Sequence, residues 1–287
     1  MKRAQIIIVS LLFACAVTAI SAAQNLQKLH ETQKKTNEQE LLVEIDYALG
    51  DFMLNKSKPG EIYNVTLEYD PEIIIPEVLY DRKNRRGFLE IRGRDEDDDD
   101  SVNMRDRDAN RWDVKLNPDL PTRLSIDVGL GDGILELGGM NITDMNLSNG
   151  LSSTELNFSE PVKNAVDEME LETGLGKFRA KNLGNAKFKE LSFDCGLGSA
   201  TLDFHGVSAE RSEVTVDVGL GSVTLILPEK LGVRIEAEKS FLSGLSLDSD
   251  FRQKDGYYYT ENWNSAEKRM HIEMSVGLGS ISVERIE

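Results

Sequence analysis

Apolar and polar residues alternate along most of this chain, and the alternation is broken at regular intervals by glycine. The clearest stretch runs Val214-Thr-Val-Asp-Val-Gly-Leu-Gly-Ser-Val-Thr-Leu-Ile-Leu227. Period-two alternation is the mark of a strand with one buried face. With the first glycine of the motif as zero, copies start at Gly129, Gly150, Gly174, Gly196, Gly219, Gly244 and Gly277, separated by 21, 24, 22, 23, 25 and 33 residues. A leucine follows each one: Leu130, Leu151, Leu175, Leu197, Leu220, Leu245 and Leu278. The residue three before zero is apolar throughout (Ile126, Leu147, Leu171, Phe193, Val216, Phe241, Met274). The residue six after is apolar except at Asp250. A divergent eighth copy has Ala48 at zero, and further strand-like runs follow at Glu61–Tyr69, Ile73–Tyr80, Gly87–Arg92 and Arg111–Leu116.

A period of this length signals a repeat architecture whose units bury their apolar faces only by stacking. The corner residues Gly129-Leu130-Gly131, Gly174-Leu175-Gly176, Gly196-Leu197-Gly198, Gly219-Leu220-Gly221 and Gly277-Leu278-Gly279 fit sharp bends between two strands, with each leucine expected to point inward. At ~3.3 Å per residue, a coil of about 22 residues has a perimeter near 70 Å, enough for two or three short strands. Propeller blades are about twice as long, and the leucine-rich-repeat frame is absent. The expected fold class is all-β: a single-stranded parallel β-solenoid (β-helix) of stacked ~22-residue coils, right-handed by the crossover rule. The 81 residues between Ala48 and Gly129 leave room for about three looser coils.

The flanks add a compartment. Met1-Lys-Arg, the apolar run Ile6–Ile20 and Ser21-Ala22-Ala23 read as a secretory signal peptide over residues 1–23. Leu12-Phe-Ala-Cys15 leaves lipidation at Cys15 as a rival, and membrane attachment is expected only in that case. The protein is therefore expected to be exported, to the periplasm or the cell surface. Residues 24–40 are polar and rich in charge, a tether or short helix outside the core. The repeat domain spans 41–287, with divergent coils over 41–120 and regular ones over 121–287. The net charge of −17 argues against nucleic-acid partners. If Cys15 leaves with the signal, Cys195 stands alone as a small strand residue.

Several of these segments resemble a known family. Asp46-Tyr-Ala-Leu-Gly-Asp-Phe52, Leu67-Glu-Tyr-Asp70, Trp112-Asp-Val-Lys-Leu-Asn117 and Pro121 to Gly131 look like the bacterial toast-rack domain. The Gly-Leu-Gly copies down to Val276–Val283 are similar to the C-terminal domains of cell-wall-active antibiotic response proteins and to adhesin-type β-solenoid domains. The resemblance covers about Leu41 to Glu287. It implies a β-solenoid in a cell-envelope protein, with no catalytic residues to carry over and a link to envelope stress as a weaker option.

The chemistry-bearing residues give no catalytic constellation, and no cofactor or metal site is expected. Asp46, Asp127, Glu172, Asp194 and Asp217 all sit two before zero and would line up on an outward face. Ser148 and Ser275 replace them freely, as a solvated strand position allows. His30, His205 and His271 share no metal-ligand spacing. Asp95 to Asp100 lacks the spaced carboxylates and turn glycine of a calcium loop. Tyr257, Tyr258, Tyr259 and Trp263 form either a cap over the last coils or a partner patch. The expectation is a non-enzymatic envelope scaffold or adhesin-like module with protein partners and scope for self-association. The alternative is a polysaccharide-active β-helix enzyme using acidic residues along one face.

Overall fold

The computed structural model describes residues 26–95, 110–237 and 244–287. The expected signal peptide over residues 1–23, Cys15, the acidic block from Glu96 onward and Phe241 lie outside the described residues. Twenty strands and one short 3-10 turn make up the regular structure, and no α-helix occurs among the described residues.

The N-terminal part comprises β1 (Gln27–Lys34), β2 (Glu40–Lys56), β3 (Glu61–Tyr69), β4 (Ile74–Lys83), β5 (Arg86–Asp95) and β6 (Arg111–Leu116). The chain then winds through β7 (Thr122–Glu136) and β8 (Ile142–Asn157), each bent in its middle. Beyond them each coil is split at its corner, giving β9 (Glu168–Thr173) with β10 (Lys177–Lys181), β11 (Glu190–Cys195) with β12 (Ser199–Asp203), and β13 (Arg211–Val218) with β14 (Ser222–Pro228). The last part holds β15 (Gly232–Ala237), β16 (Leu245–Leu247), β17 (Phe251–Lys254), β18 (Tyr257–Thr260), β19 (Arg269–Val276) and β20 (Ser280–Ile286).

Parallel pairing runs from β2 to β7, β7 to β8, β8 to β9 and β10, and onward coil by coil. The register keeps like positions together. Ile91, Ile45, Ile126, Leu147, Leu171, Phe193, Val216 and Met274 form one inward column, and all are buried. Leu54, Leu135, Leu156, Ala180, Leu202, Leu225 and Val283 form another. Stacked coils thus share one continuous apolar interior, as repeat proteins require. In the middle coils the third side is a turn tied to its neighbours by asparagines. Asn141 Nδ2 donates to the Asp119 carbonyl at 3.1 Å, Asn164 Nδ2 to Asn141 Oδ1 at 2.9 Å, and Asn185 Nδ2 to the Phe158 carbonyl at 2.8 Å. The first and third of these bonds satisfy backbone carbonyls that no strand pairs, and the second links two turns side chain to side chain.

Both ends depart from the sequence expectation. Residues 41–120 hold one further coil, not three: β5 and β6 pair with the two halves of β2. Antiparallel strands finish that end, with β4 on β5, and β3 on β6 followed by β1. Residues 27–34 are therefore a strand and not a loose tether; the alternation of Leu29, Glu31 and Gln33 with more exposed neighbours matches the edge it adds.

At the other end the coil order is not the chain order. β13 and β14 pair with β19 and β20, and β15 and β16 lie outside them. The C-terminal coil is thus inserted between two coils that are consecutive in sequence. Leu245 faces Ile281 and Leu247 faces Val283, so Gly244 occupies the level of Ser280 rather than that of Gly277. Asp250 consequently is not an inward residue. It accepts from Arg285 Nε at 3.1 Å. Outside β15, the hairpin β17–β18 turns at Asp255 (φ 52°) and Gly256 (φ 88°) and adds antiparallel strands.

Candidate functional site

Most corner leucines do not point inward; Leu245, which packs against the core, is the exception. Leu151, Leu175, Leu197, Leu220 and Leu278 are 54, 57, 52, 56 and 87 % exposed, and Leu130 is half-buried. The reason is a slip in the alternation. The residue before the first glycine is buried (Val128, Cys195, Val218, Val276), and in the last three corners the next fully inward residue comes five positions later (Ala200, Val223, Ile281). That gap is odd, so the side-chain phase changes once inside the Gly-Leu-Gly corner. Backbone fills the inner side there: a Cβ on Gly279 would come within 2.2 Å of the Gly221 carbonyl oxygen, and one on Gly176 within 1.9 Å of the Ser152 carbonyl oxygen. A leucine has no inner space to occupy.

The corners nevertheless stack. The amide of Leu175 donates to the Gly150 carbonyl at 3.0 Å, Leu197 to Gly174 at 2.9 Å, and Leu220 to Gly196 and Leu278 to Gly219 at 2.8 Å each. The leucines therefore form an outward ridge of six rungs from Leu130 to Leu278, about 24 Å long at strand spacing. Between these leucines and the next strands runs a shallow depression lined by Ser199, Ser222 and Ser280 with Gly198 and Gly221, and by Asp132 and Lys177 at one end.

The neighbouring flat face is acidic. Asp46, Asp127, Ser148, Glu172, Asp194, Asp217 and Ser275 share one row. Asp144, Glu168, Glu190 and Glu213 share another. Stacking at ~4.8 Å crowds like charges. The Asp194 carboxyl is pushed above its ordinary value, first by partial burial between its rungs and then by Asp217, Glu172 and Glu170. Cys195, one residue on, faces the core; burial raises its thiol, against a weaker opposing contact with the Gly198 carbonyl.

The family model for the N-terminal domain of toast-rack, DUF2154, matches residues 22–181, more than half of the 287 residues. The chain belongs to the toast-rack family. Among solved structures, the toast-rack chain is similar to a "putative cell adhesion protein" from Clostridium sporogenes, at 19 % identity and a TM-score of 0.48, covering 91 % of this chain and 100 % of that one. It is also similar to a "putative adhesin" from Bacteroides fragilis, at 10 % identity and a TM-score of 0.39, covering 91 % and 97 %. A third likeness is to a "putative lipid binding protein" from Parabacteroides distasonis, at 14 % identity and a TM-score of 0.38, covering 92 % and 98 %. At these identities the likeness concerns the fold alone. No curated protein matches the chain.

The aromatic segment of this toast-rack protein lies on the end hairpin. Tyr258 sits opposite Ile235 and packs against the core. Tyr257, Tyr259 and Trp263 gather around arginines: Arg234 stands 5.1 Å from the Tyr257 ring centre and 5.9 Å from that of Trp263, and Arg269 stands 5.7 Å from Trp263. At the opposite end, a cleft of about 600 Å³ opens beneath β4, lined by Leu42, Tyr80, Phe88, Arg123, Asp144 and Glu170. Its guanidinium is held by Asp144 at 3.3 Å and Glu40 at 3.8 Å. Sequence reasoning missed this cleft because it depends on an antiparallel strand folding back over the sheet. It missed the leucine ridge by following alternation through the corner. The odd interval between inward positions was the available signal.

Proposed function

We propose that this toast-rack protein is a non-enzymatic binding or scaffold module of the cell envelope, adhesin-like in action, exported to the periplasm or surface. The observation that supports this reading is the leucine ridge. Five corners repeat a leucine that is more than half exposed, with half-buried Leu130 extending the row, and an aligned apolar patch of this kind on a protein surface marks an interaction site. The shallow depression of serines and glycines beside it leaves room for backbone to approach, which favours an extended protein segment laid along the ridge. Right-handed winding, favoured by the crossover rule, belongs to the same proposal. So does a capping role for Tyr258, with Tyr257, Tyr259 and Trp263 as a secondary partner patch.

The test compares the mature protein with a Leu175→Ser, Leu197→Ser, Leu220→Ser variant. Retention on envelope fractions and sedimentation of the isolated protein are both measured, after matching circular dichroism spectra. Loss of retention, or loss of self-association, in the variant supports the ridge as the binding surface. Identical behaviour of the two proteins contradicts it.

A second reading, a polysaccharide-active enzyme, draws on the cleft beneath β4, where aromatic, basic and acidic side chains meet. Glycosidic cleavage requires one carboxyl kept protonated beside an ionised one. Turnover of envelope glycans that disappears in Asp144→Asn and Glu170→Gln would establish it over the binding module.

A further inference from the structure

The outward face of the last coils holds a cluster unlike the rest of the acidic surface. Alternation along β19 puts His271 and Glu273 on one side of the strand. Parallel pairing then sets Glu236 of β15 opposite Glu273, and Arg234 opposite His271. One ring nitrogen of His271 and one carboxylate oxygen from each of Glu236 and Glu273 all lie within 4.8 Å of one another.

The environment of the histidine distinguishes this cluster from a solvated charge patch. Its side chain is 11 % exposed, and Nδ1 lies 2.8 Å from Glu213 Oε2 on the adjoining rung. With Nδ1–H donated to that carboxylate, a neutral imidazole carries its lone pair on Nε2. Nε2 is shut off from solvent and has no hydrogen-bond partner; Glu236 Oε2 stands 3.9 Å away, beyond hydrogen-bond reach. Buried nitrogens are rarely left in this state, because an unmade hydrogen bond costs free energy. Arg234, the cation opposite, turns toward the Tyr257 and Trp263 rings.

The geometry points to a divalent transition-metal site, of the Zn²⁺ class, with His271 Nε2 and the carboxylates of Glu236 and Glu273 as ligands. Glu213 holds the imidazole from its other nitrogen, the arrangement that fixes the tautomer of metal-bound histidines. Imidazole with two carboxylates suits Zn²⁺ or a neighbour in its row, whereas Ca²⁺ takes about six to eight oxygens. Ligand atoms around a tetrahedral ion sit roughly 3.4 Å apart, so the carboxylates close in by about 1 Å, within reach of a side-chain rotation. Three protein ligands leave one position for water or for a carboxylate from a partner. The ion would bridge β15 and β19, and Glu213 of β13 would hold its histidine from the other side, so fastening the end of the solenoid. This inference is independent of the binding role of the leucine ridge.

The experiment is calorimetric titration of the mature, chelator-treated protein with ZnCl₂, with CaCl₂ in parallel, alongside thermal unfolding. Expected are one Zn²⁺ per chain, a rise in Tm with the ion, and little response to Ca²⁺. His271→Gln and Glu236→Gln each weaken Zn²⁺ binding at least about tenfold, Glu213→Gln weakens it about 10–100-fold, and Glu190→Gln on the same face leaves it unchanged. Co²⁺ in place of Zn²⁺ gives a visible tetrahedral band that His271→Gln abolishes, a readout that does not depend on stability. Absence of binding, equal binding by His271→Gln, or an equal loss in Glu190→Gln would overturn the site; the last result would mean diffuse attraction to the acidic face.

Discussion

Gly277 stacks directly on Gly219: its amide donates to the Val218 carbonyl at 2.7 Å, and a Cβ on Gly277 would come within 2.8 Å of the Gly219 carbonyl oxygen. The C-terminal coil is thus slotted against β13 and β14, with the preceding coil in sequence pushed one rung outward. This contact sets the ridge, the acidic face and the His271 cluster in their places.

The two glycines of a corner are not equivalent. A Cβ at the first would meet the next rung at 3.1 Å for Gly174 and 3.3 Å for Gly196, distances that small shifts relieve. At the second it would meet carbonyl oxygen at 1.9 Å for Gly176 and 2.2 Å for Gly279. Gly176→Ala and Gly279→Ala are each expected to destabilise by roughly 3 kcal/mol, against about 1 kcal/mol for Gly196→Ala, in urea unfolding. Gly131, at φ +149° with its Cβ position 1.8 Å from the Gly50 carbonyl oxygen, belongs with the severe group.

Outward leucines and inward leucines separate in the same assay. Leu197→Ser is expected to change stability by less than about 0.5 kcal/mol, because the side chain is half-exposed already. Leu202→Ala, at a fully buried position in the inward column, is expected to cost about 2–5 kcal/mol. Similar costs for both would mean that the ridge is part of the core.

Those leucines show where the sequence was legible and where it was not. Alternation and glycine spacing located the strands, the corners and most inward columns, because register in a stacked sheet is enforced at every second residue. The Ala48 corner was readable too: Tyr47 pairs with Val128, and Gly50 with Gly131. Leucine direction was not, since the phase change inside a corner comes from backbone crowding between rungs. The position of Gly244 was not either. A glycine–leucine pair occurs there by composition, but pairing of Leu245 with Ile281 shifts it by three residues. The His271 cluster was hidden for a related reason. His271 and Glu273 are two apart on one strand, but Glu236 joins them only because β15 pairs with β19 four residues away from the register that matching Gly244 to Gly277 gives.

Asp194 makes stability depend on pH. Its folded-state carboxyl is raised above the ordinary carboxylate value, so the folded chain holds that proton more tightly than the unfolded chain does. The contribution favours folding at pH below the ordinary value and is lost as pH rises through the raised one. Asp194→Asn is therefore expected to raise Tm at neutral pH and low salt. The gain should shrink in acid, as the wild-type carboxyl protonates, and in high salt, which screens Asp217 and Glu172. Melting curves across pH and NaCl concentration check both trends.

Asp250 anchors the inserted end. Arg285 is 4 % exposed, bonds Asp250 at 3.1 Å, and donates to the Glu229 and Leu231 carbonyls at 2.7 and 3.0 Å. Removing the carboxylate leaves a buried guanidinium one partner short. Asp250→Ala is expected to cost about 2 kcal/mol, with the β16 amides gaining hydrogen exchange before those of β14.

Coil order is open to a direct covalent test in a Cys195→Ser background. Thr224 faces Ser282, and Ser282 faces Ser246, on three successive strands. Neighbouring strands stand ~4.8 Å apart, within disulfide reach, and alternate strands about 9.6 Å apart, beyond it. Under mild oxidation, the pair Thr224→Cys with Ser282→Cys should close an intrachain disulfide in the folded protein, and the pair Thr224→Cys with Ser246→Cys should not. Closure of the second pair in place of the first would restore simple chain order, removing both the inserted coil and the Glu213 contact that holds His271.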